Sequence, residues 1–222
     1  MYRQQVETLA PARAFDLPGF GTEPLESDSV DYRQFVRDRL PPEPVTLIGT
    51  SLGGRVALEL ALESPERVAA LVLVGPGLDG HRWSDELDTF WEEEEQALAR
   101  GDLDAAAQVN VRIWLADDAE PAVAALVAEM QRNAFVLQQG REPRMAELDP
   151  PASRRLGEIG VPTLVVTGDE DVRDIHEIAE KLATEIPGAE RATIAGSGHL
   201  PSLERPDEFD AVVLAFLDKH SV

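Results

Sequence analysis

The chain has 222 residues, enough to bury a substantial core as one domain or as one domain carrying an inserted subdomain. Its 42 acidic residues against 20 basic ones give a formal charge of −22, a surface that repels polyphosphate and excludes nucleic acid as a partner. There is no cysteine, which rules out disulfides, thiolate metal sites and a cysteine nucleophile.

Only Lys181 and Lys219 are lysines, and the acidic surface suits either a salty environment or an arginine- and alanine-rich codon usage. No run approaches eighteen apolar residues, so no membrane partner is expected. The N-terminus "MYRQQVETLA" lacks a basic-then-apolar leader pattern, and the expected location is the cytoplasm.

In chain order, "ARAF" at 12–15 reads as a first strand, leading into "DLPGFG". "VTLIG" from Val45 reads as the next, and "RVALELALES" after it as a helix with Val56, Leu60 and Ala61 on one face. That helix should stop at Ser64-Pro65, because proline disfavours helix in the residue before it. "VAALVLVG" and "PTLVVTG" are further strands, and "IHEIAEKLATEIP" is a helix. Strands separated by helix-length crossovers predict an α/β fold, a mostly parallel sheet with helices on both faces.

Between 81 and 155 the spacing is helical throughout and no β-run stands out. We read 81–155 as a helical cap inserted in a core made of 1–80 and 156–222. Within it, Glu92 to Glu95 form a solvated helix face, because consecutive helical residues point in different directions and do not converge on an ion. No metal is assigned. Phe90, Trp91 and Trp114 read first as packing inside the cap.

Gly49-Thr50-Ser51-Leu52-Gly53 lies between the "VTLI" run and the helix. Gly-x-Ser-x-Gly alone is weak, arising by chance in a chain this long with a probability on the order of 0.1. Between strand and helix it becomes a candidate nucleophile elbow, with glycines 49 and 53 relieving crowding at a sharp turn. The Leu52 N–H, at the positive end of the helix, can then face a developing oxyanion.

A serine nucleophile needs a histidine held by a carboxylate. Of the four histidines, His176 and His220 read as ordinary surface residues, and His81 opens the cap. His199 lies in a small-residue loop after the strand-like "ATIA", where an open α/β sheet carries function. Asp169 and Asp171 follow another strand, and the order Ser51, Asp171, His199 is the one expected of this fold class.

Taken together, "DLPGFG", "GTSLGG", "VPTLVVTGDED" and "GSGHLPSLERPDEF" resemble the α/β-hydrolase superfamily in its esterase, enol-lactonase and cofactor-free haloperoxidase-like branch. The resemblance places the acid at the last position of Gly-x-x-Asp, Asp171 rather than Asp169. It implies an acyl-enzyme mechanism on small or medium carboxylic esters or lactones, with Ser51, His199 and Asp171 as triad and no cofactor. An apolar pocket over Ser51 is then expected, lined by Phe20, Leu52, Trp83 and Trp114.

The chain departs from the family in lacking a His-Gly oxyanion motif, the strand expected between "ARAF" and "VTLI", and the usual edge strands. Three explanations fit: a truncated chain or misplaced start, a short variant that re-pairs its sheet or swaps strands between protomers, or a protein that no longer turns over. A substitute oxyanion N–H from Gly19 or Phe20 is one expectation. A homodimer through the exposed sheet edge is another. The rival function is a non-catalytic protein that binds a ligand or partner in the cap cleft.

Overall fold

The computed structural model describes residues 1–138, 141 and 144–222. Six strands form: β1 (Ser29–Val30), β2 (Val45–Thr50), β3 (Val68–Val74), β4 (Arg144–Met145), β5 (Thr163–Gly168) and β6 (Glu190–Ile194). Four of them make one parallel sheet in the order β2-β3-β5-β6. The runs from Val68 to Val74 and from Thr163 to Gly168 are almost wholly buried, as central parallel strands covered on both faces must be. The fold class is α/β, as expected.

Helix α1 (Arg3–Thr8) and helix α2 (Tyr32–Arg37) precede β2, and helix α3 (Leu52–Glu63) crosses from β2 to β3. Ser64 ends α3, donating its N–H to the Leu60 carbonyl at 2.8 Å, with Pro65 next. Val56, Leu60 and Ala61 are buried, as the periodicity predicts. After β3 come three helices, α4 (Asp85–Ala99), α5 (Leu103–Trp114) and α6 (Pro121–Gln138). Ser84 and Asp102 cap the first two by accepting the N–H groups of Leu87 and Ala105. Helix α7 (Arg173–Glu185) joins β5 to β6, and a short α8 (Pro201–Glu204) leads into α9 (Pro206–His220).

The sheet separates two cores. On one face Leu71, Leu73 and Val165 pack with Leu58 and Leu60 of α3 and Ile178 and Leu182 of α7. On the other, Val72, Val74, Leu164 and Val166 meet Phe209, Val213 and Phe216 of α9, with Tyr2 of the N-terminal segment at the margin. The Tyr2 phenol hydrogen-bonds the Thr50 hydroxyl, and burial pushes its pKa up to about 12.

Two expectations about strands fail. The "ARAF" segment forms no strand, and Phe15 is 42% exposed. A strand persists only beside a partner edge, and among the described residues β2 pairs with β3 alone. The region 81–155 does contain a β-element: β4 pairs with β1, in register Ser29↔Arg144 and Val30↔Met145. Two residues are too few to carry a period-two signal.

Candidate active site

Ser51 stands between β2 and α3 at φ 54° and ψ −115°. A serine at positive φ is strained, and the strain persists only where the surroundings hold it. Here the Ser51 N–H is held by the Val74 carbonyl at 2.9 Å, and its own carbonyl accepts the N–H of Gly77 at 3.2 Å. The end of β3 and the turn after it therefore grip the elbow.

Crowding at the turn differs from the sequence reading. A Cβ on Gly49 would lie 2.3 Å from the Gly53 carbonyl oxygen, and one on Gly54 would lie 2.9 Å from the Pro76 ring. Nothing lies within 4 Å of a Cβ on Gly53. The glycines that the packing requires are 49, which faces the backbone of Gly53 and Gly54, and 54, which faces Pro76, more than twenty residues away in sequence.

The same turn meets the histidine. His199 and Asp171 are both buried, and His199 Nδ1 lies 2.9 Å from Asp171 Oδ2 and 3.2 Å from Oδ1. A Cβ on Gly75 would fall 2.8 Å from His199 Nδ1, so only glycine lets the pair sit against the end of β3. His199 Nε2 is buried without a hydrogen-bond partner among the described residues, and it makes no bond to Ser51. Such bonds are commonly long in free enzymes and tighten with substrate. The chain thus brings Asp171 and His199 into contact and sets Ser51 at the end of β2, across β3 from them.

Leu52 is the first residue of α3, and its N–H makes no hydrogen bond to another described residue, as helix N-termini leave it. The substitute donors fail. Gly19 gives its N–H to the Glu23 carbonyl at 3.0 Å and Phe20 gives its own to Leu17 at 2.9 Å. Both amides close a turn of the 17–23 loop. That loop faces α6 instead, with Gln138 Nε2 on the Gly19 carbonyl and Asn133 Nδ2 on that of Gly21.

Trp114 stacks on His199, ring centroids 4.4 Å apart, and accepts the His199 N–H on its carbonyl at 2.8 Å. Its indole N–H goes to Asn110 Oδ1, and Asn110 Nδ2 goes to Glu94. Glu94 is therefore turned into the α4–α5 contact, and burial raises its pKa against the opposing Asn110 bond, whereas Glu92, Glu93 and Glu95 are exposed. Trp83 packs edge-on to His81 and Trp91, and Phe90 edge-on to Trp114. This relay joins residues on different elements, which sequence spacing does not reveal.

His81 is engaged as well. Its Nε2 lies 3.1 Å from Asp174 of α7, which also accepts the Ser84 N–H at 2.8 Å and hydroxyl at 2.6 Å. Burial alone would raise the Asp174 carboxyl, but Ser84 and His81 outweigh it and hold it below the ordinary carboxylate range. His220 pairs with Glu190, and His176 is half-buried on α7. A groove of about 650 Å³ runs from Asp169 and Asp171 along α7 to Arg191. Its lining is charged, so it is not the apolar pocket expected over Ser51. Among the described residues no group of three or more His, Asp or Glu side chains is placed to hold a metal ion.

Sequence reasoning missed Glu204 and Gly75. Glu204 is buried and accepts the N–H groups of Ala116, Gly198 and Leu200. Its position five residues after His199 was the available signal.

Comparison with known proteins agrees with this architecture. A 2-hydroxy-6-oxononadienedioate/2-hydroxy-6-oxononatrienedioate hydrolase from Comamonas testosteroni is 31% identical, over 91% of this chain and 75% of its own length. The enzyme of that name from Klebsiella pneumoniae subsp. pneumoniae is 30% identical over 82% of this chain, which spans 65% of that relative's length. A solved thermophilic esterase superposes with a TM-score of 0.69 at 29% identity, covering 92% of this chain and 79% of the esterase. No helix among the described residues is long and apolar enough to cross a membrane. The model of the alpha/beta hydrolase family matches residues 2–212, and the chain belongs to that family.

Proposed function

We propose that the protein is a serine hydrolase of small or medium carboxylic esters or lactones. The observation that carries this reading is the buried His199–Asp171 pair, seated against Gly75 beside a serine held at positive φ. In the proposed reaction Ser51 Oγ attacks the carbonyl carbon while His199 Nε2 takes its proton. Asp171 keeps the Nδ1–H tautomer and stabilises the imidazolium. The Leu52 N–H and the end of the α3 dipole face the oxyanion. Collapse expels the alcohol, protonated by His199, and water activated by the same imidazole releases the acid. No metal or organic cofactor takes part.

Helices α4 to α6 serve as the cap over this centre, with Trp83 and Phe20 as the aromatic residues assigned to substrate. Trp114, stacked on His199, contacts base and substrate alike. The relatives' names extend the substrate screen from esters and lactones to 2-hydroxy-6-oxo dienedioates.

The test is hydrolysis of p-nitrophenyl butyrate. Ser51→Ala should lose about ten-thousandfold or more in kcat. Unchanged hydrolysis in that variant would sink the reading. A second reading, a non-catalytic binding protein, is favoured by the engagement of the Gly19 and Phe20 amides, which leaves Leu52 as the one oxyanion donor assigned. A fluorophosphonate adduct on Ser51 of the folded protein decides for the enzyme, and its absence for the binder.

A further inference from the structure

The loop that carries His199 forms an unusual set of hydrogen bonds. Five consecutive backbone N–H groups, from Gly196 to Leu200, are all taken, four by the side chains of Asp169 and Glu204 and one by the Trp114 carbonyl at the end of α5. Asp169 Oδ1 accepts those of Gly196 at 2.6 Å and Ser197 at 3.4 Å. Glu204 accepts those of Gly198 and Leu200, each at 3.2 Å, and the Trp114 carbonyl accepts that of His199. Glu204 also accepts the Ser197 hydroxyl at 3.2 Å and, at 2.8 Å, the N–H of Ala116 just beyond α5.

Glu204 is 6% exposed and has no cation in salt-bridge reach among the described residues. Four donors converge on it, matching the roughly four lone-pair sites of a carboxylate. Three of them belong to residues 197–200, and the fourth belongs to the helical insertion. The insertion cannot slide against this loop without breaking the Ala116 bond to Glu204 and the His199 N–H bond to the Trp114 carbonyl. At the junction the chains also touch: a Cβ on Gly198 would lie 2.7 Å from the Trp114 carbonyl oxygen.

We propose that Glu204 is a positioning residue for the general base: it clamps the His199 loop to the Trp114–Ala116 segment, so that the imidazole is aimed at Ser51 and covered by Trp114. Asp169, passed over as the triad acid, holds the other half of the loop. This inference rests on the hydrolase reading above. It makes the α5 end of the cap a fixed part of the catalytic base. Any opening for substrate then lies elsewhere in the cap.

The experiment compares wild type, Glu204→Gln and Glu204→Asp in p-nitrophenyl butyrate hydrolysis, across pH, with backbone amide exchange followed residue by residue. A glutamine offers one acceptor oxygen and turns its own NH2 toward incoming donors. Glu204→Gln should therefore lower kcat about 30-fold with KM within about twofold, since small misplacements of catalytic groups cost up to about a hundredfold. The acid limb of the kcat/KM profile should move, and exchange at Gly198 and Leu200 should quicken by about tenfold. Glu204→Asp should recover part of kcat.

A folded Glu204→Gln protein with unchanged kcat and unchanged exchange overturns the proposal, as does a loss confined to KM. If Glu204→Gln does not fold, Ser197→Ala removes one of the four donors. It should lower kcat about threefold at constant KM, and no change there overturns the proposal equally. If wild type shows no Ser51-dependent hydrolysis, the hydrolase reading fails while the exchange measurement still decides the clamp.

Discussion

Gly75 shows how one missing methyl group governs the site. Its φ of +45° and the 2.8 Å from a Cβ to His199 Nδ1 leave no room for alanine without moving the ring off Asp171. Gly75→Ala should cost about a hundredfold in kcat, measured by ester hydrolysis, while the circular dichroism spectrum stays that of wild type. The elbow glycines should separate in the same way. Gly49→Ala pushes a Cβ into backbone and should lose about 3 kcal/mol in denaturant unfolding. Gly53→Ala enters open space in a helix and should gain up to about 1 kcal/mol. Equal losses in the two variants would refute the crowding argument. The motif spacing pointed to Gly49 and Gly53; Gly54 takes the place of Gly53 because its neighbour, Pro76, belongs to a different strand end.

Among elements, the attachment of α4 to α7 is the feature with a measurable signature. Asp174 of α7 gathers the Ser84 N–H and hydroxyl and His81 Nε2 at the start of α4. Removing a buried charged acceptor costs about 2 kcal/mol, so Asp174→Asn should lose that much at pH 7. Its carboxyl is lowered in the folded state, so this stability is fully present above the unfolded value of about 4 and fades as pH falls through the folded one. Urea melts of both proteins should therefore differ at pH 7 and converge in stronger acid. A difference that persists undiminished in acid would contradict the assignment.

Elements with strong local signals were legible: β2, β3, β5, α3 and α7 follow from apolar runs and the Ser64-Pro65 stop. "ARAF" was not, since its apolar content is that of a strand and its fate depends on a partner edge that no local pattern describes. The Asp171–His199 contact could be read because each residue follows a strand-like run. The contacts of Trp114 and Glu204 with the His199 loop could not, because they join residues that only packing brings together.

Over the whole molecule the charge of −22 opposes compactness. Raising sodium chloride from about 0.05 to about 0.5 M shortens the Debye length roughly threefold and should raise Tm by several degrees. A Tm that falls with added salt would mean that the ion pairs outweigh the repulsion. The surface pairs, such as Arg173–Glu177 and Lys181–Glu185, are exposed and contribute little each.

The grip of β3 on Ser51 has a consequence in time. The ribosome delivers the serine about 150 residues ahead of the histidine, an interval of roughly seven to thirty seconds at ordinary elongation rates. For the larger part of that interval, from the completion of β3 at Val74 to the arrival of β5 at Thr163, β2 and β3 are out but the β5 edge that pairs with β3 is not. The nascent sheet then exposes an apolar parallel edge without a charged residue between Val68 and Val74, a natural substrate for holding chaperones. Nascent chains stalled before residue 199 should bind such chaperones and ignore a fluorophosphonate, and reactivity at Ser51 should arise only once the last strand and its loop have been released.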